Sequence, residues 1–505
     1  MRTGKLKLIL VLMFAIISYT ACGGGGSDSA TPPPSSPTAP SAPGLAPDIT
    51  VGDTTLTASW LPVTGATAYE VYYSDTDDPA TAILFASTSN ISCVITGLTN
   101  GTEYFVWVKA KNSTGISAFS PAGSGAPSGA ISNWPAGIKQ YGSDQTDYAI
   151  GMVKDKDGNI YVTGYSSGNL DPATCTNEGG DDIYLVKYNP SGIRQWTCML
   201  GSTENDRPYA IAYDGDTGIY LAGYTRGLLD GNDNPQDEEI MFIAKYSTDG
   251  SKVWTKVYET AGSTVYAMAW HDGYIYVTGM GLNGGLYKLF IAKYNDVGVQ
   301  EWLNYYAEGD NGHSIALDSS GNIYVTVSGS YMTLYKYNSL GVEQWNRPRA
   351  DLSSGRGIVV DEDSNIYFTG TTTSSHSYIV KYDSSGNLVW ENTIQSLLAE
   401  GGNAVALDSS GNVYVTGGTR GDLDGQTNNG NGSTYDMFLI KYDIDGTRQW
   451  TRLLGTNAYD AGAGLTLLSD NYVLVYGHTE GALGTPAAGG HDYLFAQYNA
   501  SGVLQ

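Results

Sequence analysis

One short repeat constrains the fold of this chain more than any other feature. The pattern Lys-Tyr-x3-Gly-x3-Trp recurs after residue 134 with an invariant spacing, in the copies Lys187 to Trp196, Lys245 to Trp254, Lys293 to Trp302, Lys336 to Trp345, Lys381 to Trp390 and Lys441 to Trp450. A seventh copy begins at Gln497 with Gly502 in register, and its Trp would fall one residue beyond Gln505. We expect Trp134, at the other end of the repeat region, to supply the missing Trp.

A second element precedes each copy and supplies the other half of a structural unit. It reads Gly-Asn-Ile-Tyr-Val-Thr-Gly or a variant, with Leu474 in the seventh unit and a tyrosine in the others, at Tyr161, Tyr220, Tyr276, Tyr324, Tyr367 and Tyr414. Each unit then contains four short strands, which is typical of a propeller blade. We predict a seven-bladed β-propeller over residues 134–505, closed by pairing three C-terminal strands with one N-terminal strand, because closure removes exposed strand edges. An eight-bladed or split arrangement is the alternative.

The repeat closely resembles the bacterial β-propeller repeat family abbreviated SBBP, over nearly all of residues 134–505. Composition agrees with an all-β chain, since 65 Gly and 39 Tyr are present among 505 residues and long helix-forming periodic runs are missing. The formal net charge of -25 makes nucleic acid a poor partner, because a nucleic-acid-binding surface must neutralise phosphates.

The first 22 residues are typical of a secretory signal. Arg2, Lys5 and Lys7 precede an apolar run at residues 8–17, which is too short to span a membrane. The Ala21-Cys22 junction resembles the lipobox of bacterial lipoproteins, and this resemblance implies acylation of Cys22. Because Gly23 is not the Asp that favours inner-membrane retention, it further implies an outer-membrane lipoprotein that faces the periplasm or the cell surface. A plain secretory signal is the alternative.

Two further segments precede the propeller. Residues 23–43 are rich in Gly, Ser and Pro and are predicted to form a flexible tether. Residues 44–128 contain short alternating β-type runs and resemble a fibronectin type III domain through Trp60, Leu98 and Tyr104. The resemblance implies that Trp60 fills the core of a β-sandwich and that the Tyr104 hydroxyl returns to the backbone near Leu98. The resemblance further implies that the module serves as a spacer.

The cysteines suggest one disulfide. Cys93 alternates in phase with neighbouring isoleucines, which predicts a buried free thiol. Cys175 lies in the long loop of unit one, and Cys198 lies two residues after Trp196 in the same unit. Because both should reach the same face of one blade, we predict a Cys175–Cys198 disulfide.

Blade geometry places the turns after strands one and three on one face, and the loops after strands two and four on the other. The loops after strand two are long in units one, two, six and seven, which are consecutive around a closed ring, and we expect them to form a continuous wall. Loops on a rigid scaffold commonly carry recognition. Drift in loop length without function is the alternative.

Acidic residues concentrate in these loops and raise the possibility of calcium. The candidate oxygen ligands are Asp230, Asp233, Asp237, Asp422 and Asp424. Neither segment matches an EF-hand loop, because the sixth positions are Pro235 and Thr427 and the closing Glu is missing. The alternative is a soluble, mutually repelling surface.

The aromatic residues divide into two groups. A Tyr, Trp or Lys that recurs in every blade is expected to pack between blades, whereas the irregular tyrosines are the candidate ligand contacts: Tyr209, Tyr287, Tyr435 and Tyr459. The five histidines show no metal-ligand spacing, and no phosphate loop or nucleophile elbow occurs in the sequence.

The sequence therefore predicts a non-catalytic binding platform for a protein or polysaccharide of the cell envelope, attached to the membrane only by its lipid. No cofactor is required, although Ca²⁺ is possible. A glycosidase or lyase using acidic residues at the propeller opening is one alternative, and a structural component of a surface assembly is another.

Overall fold

The structure is a computed structural model, and it describes residues 38–52, 55–99, 102–127, 134, 137–171, 175–231, 238–308, 310–329, 331–483 and 489–505. The predicted signal, Cys22 and most of the tether lie outside these residues. The chain forms two compact units, Met1–Gly129 and Ala130–Gln505. Its described residues are all-β, and they include no helix of the length and hydropathy that a membrane crossing needs.

The first unit is a β-sandwich of two antiparallel sheets, as predicted. One sheet has the order β1-β2-β5 and the other β4-β3-β6-β7. The strands are β1 (Asp48–Gly52), β2 (Thr55–Ser59), β3 (Ala68–Ser74), β4 (Ile83–Thr88), β5 (Ser92–Ile95), β6 (Tyr104–Lys111) and β7 (Gly123–Gly125).

The residues that predicted this sandwich occupy its core. Trp60 is 6% exposed and packs edge-to-face on Tyr69 with ring centroids 5.4 Å apart. The backbone N–H of Thr99 donates to the Tyr104 hydroxyl at 3.2 Å, which is the expected return of that hydroxyl to the backbone beside Leu98. Cys93 is a free, half-buried thiol whose pKa is raised by burial.

The second unit is a seven-bladed propeller of four-stranded antiparallel sheets, as predicted. The seventh sheet has the order β33-β34-β35-β8, so its outer strand comes from the N-terminal end of the unit. The strands are β8 (Lys139–Tyr141); β9 (Asp147–Lys154), β10 (Ile160–Ser166), β11 (Asp182–Tyr188) and β12 (Arg194–Leu200) in blade one; β13 (Asp206–Tyr213), β14 (Gly218–Thr225), β15 (Ile240–Ser247) and β16 (Lys252–Ala261) in blade two; β17 (Thr264–His271), β18 (Tyr274–Asn283), β19 (Leu286–Asn295) and β20 (Gln300–Glu308) in blade three; β21 (Asn311–Leu317), β22 (Ile323–Ser328), β23 (Met332–Tyr337) and β24 (Glu343–Arg349) in blade four; β25 (Leu352–Val360), β26 (Ile366–Thr372), β27 (Ser377–Tyr382) and β28 (Leu388–Ile394) in blade five; β29 (Glu400–Leu407), β30 (Val413–Thr419), β31 (Asp436–Tyr442) and β32 (Arg448–Leu454) in blade six; and β33 (Asp460–Ser469), β34 (Tyr472–Thr479) and β35 (Asp492–Asn499) in blade seven.

The innermost strands close the ring. Each first strand contacts the first strand of the next blade, in the order β9, β13, β17, β21, β25, β29, β33 and back to β9. The second and third strands are almost entirely buried between blades and form the propeller core.

The conserved spacing of the repeat follows from contacts within and between blades. In blade one, Tyr161 is paired with Lys187 and Lys187 with Trp196, so the three side chains lie side by side on one face of the sheet. The Lys187 ammonium lies 5.2 Å from the centre of the Tyr161 ring. Trp196 packs against Gly250 of blade two, where an added Cβ would lie 3.0 Å from the indole. The Gly of the repeat is therefore required for packing between blades.

Trp134 joins blades seven and one. It is 4% exposed, and its ring contacts Tyr188 of blade one and Phe495 of blade seven at centroid distances of 5.7 and 5.4 Å. Closure of the ring thus buries an aromatic residue that lies before the first complete blade.

The two faces of the propeller differ in the way that the blade geometry predicts. The turn face carries the connections after strands one and three, which are short hydrogen-bonded turns in every blade. The loop face carries the connections after strands two and four. The connections after strand two span residues 167–181, 226–239, 420–435 and 480–491 in blades one, two, six and seven, and 284–285, 329–331 and 373–376 in blades three to five.

Candidate functional site: an aromatic rim on the loop face

Aromatic and imidazole rings line the loop face where the innermost strands begin. Each lies near the start of a first or third strand or near the end of a second strand, and these positions adjoin the same face. We call this set the aromatic rim; it consists of Tyr148, Tyr165, Tyr209, Tyr266, His313, Tyr435, Tyr459, His478 and His491.

Half of the rim is a continuous chain of ring contacts across blades six, seven and one. Tyr459 lies 5.5 Å from Tyr435 and stacks on His478 at 5.5 Å with an interplanar angle of 6°. His478 lies 5.8 Å from His491, and Tyr148 contacts His491 at 4.4 Å. These rings are partly buried, which leaves aromatic surface for a ligand.

The rim continues across blades one to four. Tyr148 contacts Tyr165 at 5.0 Å, and the Arg207 guanidinium lies 4.5 Å above the Tyr165 ring while its Nε donates to Asp181 at 2.8 Å. Tyr209 then contacts Tyr266 at 5.5 Å.

Tyr266 in turn stacks on His313 at 5.6 Å with an interplanar angle of 19°. The remaining arc, in blades five and six, is polar. There Arg356 Nη1 donates to Asn403 Oδ1 at 2.9 Å, and Asn403 Nδ2 donates to the Gly462 carbonyl at 2.8 Å.

The imidazoles of the rim are held neutral. Burial and the neighbouring His491 lower the pKa of His478 to about 4. Burial and the Arg356 charge lower the pKa of His313. Burial also lowers the pKa of His491, although Glu480 lies 2.9 Å away and acts in the opposite direction. At neutral pH these rings therefore stack as uncharged aromatics, and the positive charge of the rim comes from arginine.

A cavity of about 300 Å³ opens at the polar arc, between blades five and seven. Tyr435, Tyr459, Arg356 and Asn403 form part of its wall. Small ligand pockets begin at about this volume. Glu400 also lines the cavity, but its carboxylate is buried and bound by His376 Nδ1 at 2.8 Å.

A larger cavity of about 690 Å³ lies on the turn face, between the ends of the innermost strands of blades five to seven. Its lining combines aliphatic side chains with the carboxylates of Asp361, Glu362, Asp363 and Asp408, and its one lysine, Lys154, donates to the Leu467 carbonyl at 2.5 Å. Asp361 and Asp408 accept from N–H groups of their own turns. Because the Lys154 ammonium group is used internally, the aromatic rim is the stronger candidate site.

The four long loops share one anchoring arrangement. In each, a Ser or Thr at the end of strand two accepts from the N–H two residues later, at 3.0 Å for Gly168 and 3.1 Å for Gly421. A leucine two residues further on is buried in every case, at Leu170, Leu229, Leu423 and Leu483. The predicted wall of blades six, seven, one and two is therefore held by a repeated local structure.

Carboxylate pairs lie beneath this wall, where a strand-three Asp of one blade approaches the first strand of the next. Asp182 and Asp206 are fully buried, and Glu178 N–H and Ser202 N–H donate to them at 2.6 and 2.7 Å. Burial, with the Asp206 charge, raises the pKa of Asp182 to about 7. Some of the acidic residues that the sequence places in or beside loops are thus buried in the protein.

The predicted calcium residues have protein partners where the structure describes them. Asp230 forms an ion pair with Lys252 at 2.5 Å, Asp424 with Arg448, and Asp422 Oδ1 accepts from the Asn428 N–H at 2.9 Å. Asp233 and Asp237 lie outside the described residues. Among the described residues, no group of three or more His, Cys, Asp or Glu side chains is arranged to hold a metal. Calcium binding stays a prediction.

The two cysteines of blade one lie together as free thiols. Cys175 Sγ donates to the Thr197 carbonyl at 2.7 Å and Cys198 Sγ to the Gly250 carbonyl at 3.3 Å. The pKa of Cys198 is raised to about 11 by burial, with a further contribution from a hydrogen bond with Cys175. The disulfide stays a prediction, and it would tie the long loop of blade one to the outer strand of the same blade.

Three of the four predicted ligand tyrosines, Tyr209, Tyr435 and Tyr459, belong to the rim. Tyr287 is 49% exposed on the β18–β19 hairpin, and among the described residues its ring has no contact with the rim. Sequence reasoning missed the other rim residues. Tyr148, Tyr266 and His313 lie near the start of a first strand, where the residue type varies from blade to blade, whereas Tyr165 and His478 lie near the end of a second strand and His491 precedes a third.

Comparison with known families supports this architecture. A family model described as Fibronectin type III domain matches residues 39–125, and one described as Beta-propeller repeat, the SBBP model, matches residues 137–171 and 341–376. The chain contains a fibronectin type III domain and SBBP-type propeller repeats.

Three curated relatives illustrate the range of similarity. An uncharacterised WD repeat-containing protein of Acanthamoeba polyphaga mimivirus is 23% identical over 427 residues, or 66% of this chain and 29% of that protein. Chitinase D of Niallia circulans is 36% identical over 179 residues, or 33% of this chain and 30% of the relative. A chitinase of Paenibacillus xylanexedens is 32% identical over 180 residues, or 35% and 32%. The matched segment spans less than a third of each relative.

Two solved structures are similar in fold. The Swd1 β-propeller domain of Myceliophteria thermophila has a TM-score of 0.45 at 8% identity, covering 71% of this chain and 98% of that chain. A protein of unknown function from Bacteroides caccae has a TM-score of 0.37 at 11% identity, covering 58% and 93%.

Proposed function

We propose that this chain is a lipid-anchored cell-envelope protein whose propeller is a non-catalytic binding platform for a polysaccharide, with the aromatic rim as its site. The observation that carries the proposal is the unbroken chain of partly exposed rings from Tyr435 to Tyr165. Flat aromatic faces contact the apolar faces of sugar rings, and a row of them offers contacts to several consecutive sugars. The neutral imidazoles extend this surface without adding charge.

Two further observations favour a polysaccharide over a protein partner. The rim residues Tyr435 and Tyr459 line a cavity of about 300 Å³, which suits a sugar unit better than a flat protein surface. In addition, two relatives are chitinases, which places related sequence in proteins named for action on a polysaccharide.

Five carboxylates on the loop face are buried or engaged by protein groups, and this favours binding over hydrolysis. A glycosidase needs two carboxyl groups that reach the substrate. Asp182 and Asp206 are fully buried, while Glu400, Glu480 and Asp181 are engaged by His376, His491 and Arg207 respectively. Incubation with a broad glycan panel, with and without Ca²⁺, tests the enzyme alternative, and turnover of any glycan would contradict the non-catalytic assignment.

The binding experiment uses one strand as its own control. Tyr209 and Tyr213 both lie on β13, but Tyr209 lies at the loop face, whereas the Tyr213 hydroxyl donates to the Asp216 carbonyl at the turn face. Affinity electrophoresis of the mature chain through gels containing neutral and acidic polysaccharides identifies a bound polymer. Tyr209→Ala and Tyr459→Ala should then each weaken retention by about 3- to 10-fold, and Tyr213→Ala should leave it unchanged.

Equal effects of all three variants would contradict the assignment of the rim, and failure of the native chain to bind any polymer would remove the polysaccharide proposal. The envelope location is tested separately, by metabolic labelling with a radioactive fatty acid. Label on the native chain but not on Cys22→Ser supports the anchor. Protease treatment of intact cells distinguishes the surface from the periplasm.

A further inference from the structure

The cavity at the polar arc adjoins two guanidinium groups that no described carboxylate neutralises. Arg356 is exposed and donates from Nη1 to Asn403 Oδ1 at 2.9 Å. Arg420 lies 5.9 Å from the centre of the Tyr435 ring, and its Nη2 donates to the Gly432 carbonyl at 3.0 Å. Among the residues that the structure describes, its Nε is buried without a hydrogen-bond partner.

Two other arginines of the loop face each form an ion pair with a carboxylate. Arg207 is paired with Asp181, and Arg226 with Glu239 at 2.8 Å. One carboxylate, Glu400, also lines the cavity at the polar arc, but it is buried and bound by His376 Nδ1 and the Ser396 N–H. In a protein with a net charge of -25, two guanidinium groups against this one carboxylate make a local excess of positive charge. An anionic group is the ligand chemistry that this excess favours.

The geometry of Arg356 narrows the kind of anion. A guanidinium carries five N–H donors in a planar fork, and Arg356 uses one of its nitrogens on Asn403, so further donors remain for a planar carboxylate. Gly401 lines the same cavity and leaves open space there, since an added Cβ would meet nothing nearer than Thr371 Oγ1 at 3.9 Å. The cavity volume of about 300 Å³ suits one sugar ring.

We propose that this cavity binds a uronate unit of the polysaccharide, with the sugar carboxylate paired to Arg356 and the sugar ring against Tyr459 and Tyr435. The inference rests on the proposed polysaccharide function and specifies its ligand as an acidic glycan. Arg420 lies beside Tyr435 and adds a second positive charge that favours the same anion.

The test compares oligogalacturonate with the same oligomer after reduction of its carboxyl groups to alcohols, by isothermal titration calorimetry on the full mature chain. Arg356→Gln should lower the affinity for the uronate oligomer by about 10-fold or more, because a charge-assisted hydrogen bond is lost. Arg356→Lys keeps the charge but loses the planar fork, so it should restore only part of the affinity. Arg347→Gln removes one charge from an arginine bound to the Gly386 carbonyl, away from the rim, and should have no effect.

The outcomes separate this inference from the proposed function. Equal affinity for the uronate and reduced oligomers, or an unchanged uronate affinity in Arg356→Gln with a native melting curve, would overturn the acidic-sugar inference and leave polysaccharide binding in place. Binding of neither oligomer, and of no polymer in the gel panel, would overturn both. We expect added salt to weaken binding of the uronate oligomer and to leave binding of the reduced oligomer unchanged.

Discussion

The packing of Trp196 on Gly250 provides a quantitative test of the repeat. Gly250 has a φ of 93°, a conformation that costs an L-amino acid about 1–2 kcal/mol. An added Cβ would also lie 3.0 to 3.4 Å from three atoms of the Trp196 indole in the neighbouring blade. Forcing an extra methyl group into a packed site costs a further ~1–3 kcal/mol. We therefore expect Gly250→Ala to destabilise the propeller by about 2–5 kcal/mol.

Gly215 is the matched control in the same blade. Its φ is 82°, yet an added Cβ there meets nothing within 4 Å, so Gly215→Ala should cost only the conformational part, about 1–2 kcal/mol. Urea unfolding followed by both tryptophan fluorescence and circular dichroism measures the two free energies. In a Trp196→Ala background the clash is gone, and Gly250→Ala should then cost as little as Gly215→Ala. The packing argument would be refuted if Gly250→Ala and Gly215→Ala lowered the free energy of unfolding equally in the native background. It would also be refuted if Gly250→Ala were as destabilising in the Trp196→Ala background as in the native one.

Three shorter predictions concern ionisable groups and thiols. Burial raises the folded-state pKa of Asp182 from 3.8 to about 7, so its contribution to stability is greatest below pH 3.8 and is lost as pH rises to about 7. Asp182→Asn should therefore flatten the fall in melting temperature between about pH 4 and 7, and unchanged pH dependence would contradict the burial argument. Non-reducing peptide mapping of protein from an oxidising compartment should recover Cys175 linked to Cys198, and alkylation of both thiols would disprove the disulfide. Since Asp230 and Asp424 are engaged by Lys252 and Arg448, about 1 mM Ca²⁺ should shift the melting temperature little, and a shift of several degrees would reveal a calcium site.

The repeat predicts the propeller because each of its residues has a packing role that recurs in every blade. The spacing from Lys187 to Trp196 is that of two residues facing each other across an antiparallel hairpin, and the Gly between such residues combines a positive φ with contact to the previous blade. A pattern required by packing recurs from blade to blade, and it is complete in six units while the seventh keeps Tyr498 and Gly502. It is therefore visible in one sequence without comparison to others.

The rim lacks such a signal, and only part of it could be predicted. His478 and His491 look scattered in the sequence, yet the antiparallel pairing of β34 with β35 brings them to the same edge of one sheet. The sequence likewise shows that Asp182 is acidic and lies next to a loop, but not that strand three begins there and buries the side chain completely. Both features depend on where strands begin and end, which is the least regular aspect of the repeat.

The contrast between the two faces follows from the same physical requirement and shows where function can vary. On the turn face, the packing of each Gly against the preceding blade, as at Gly250, restricts change, because an altered side chain there would disturb a blade interface. Side chains in or just before the innermost strands on the loop face differ from blade to blade. Blades one and seven place Tyr148 and Tyr459 there, while blade five places Arg356. A ring of similar blades thus presents an asymmetric rim, with stacking surfaces on one side and Arg356, hydrogen-bonded to Asn403, on the other, and this asymmetry suits the polysaccharide of neutral and acidic sugars that we propose.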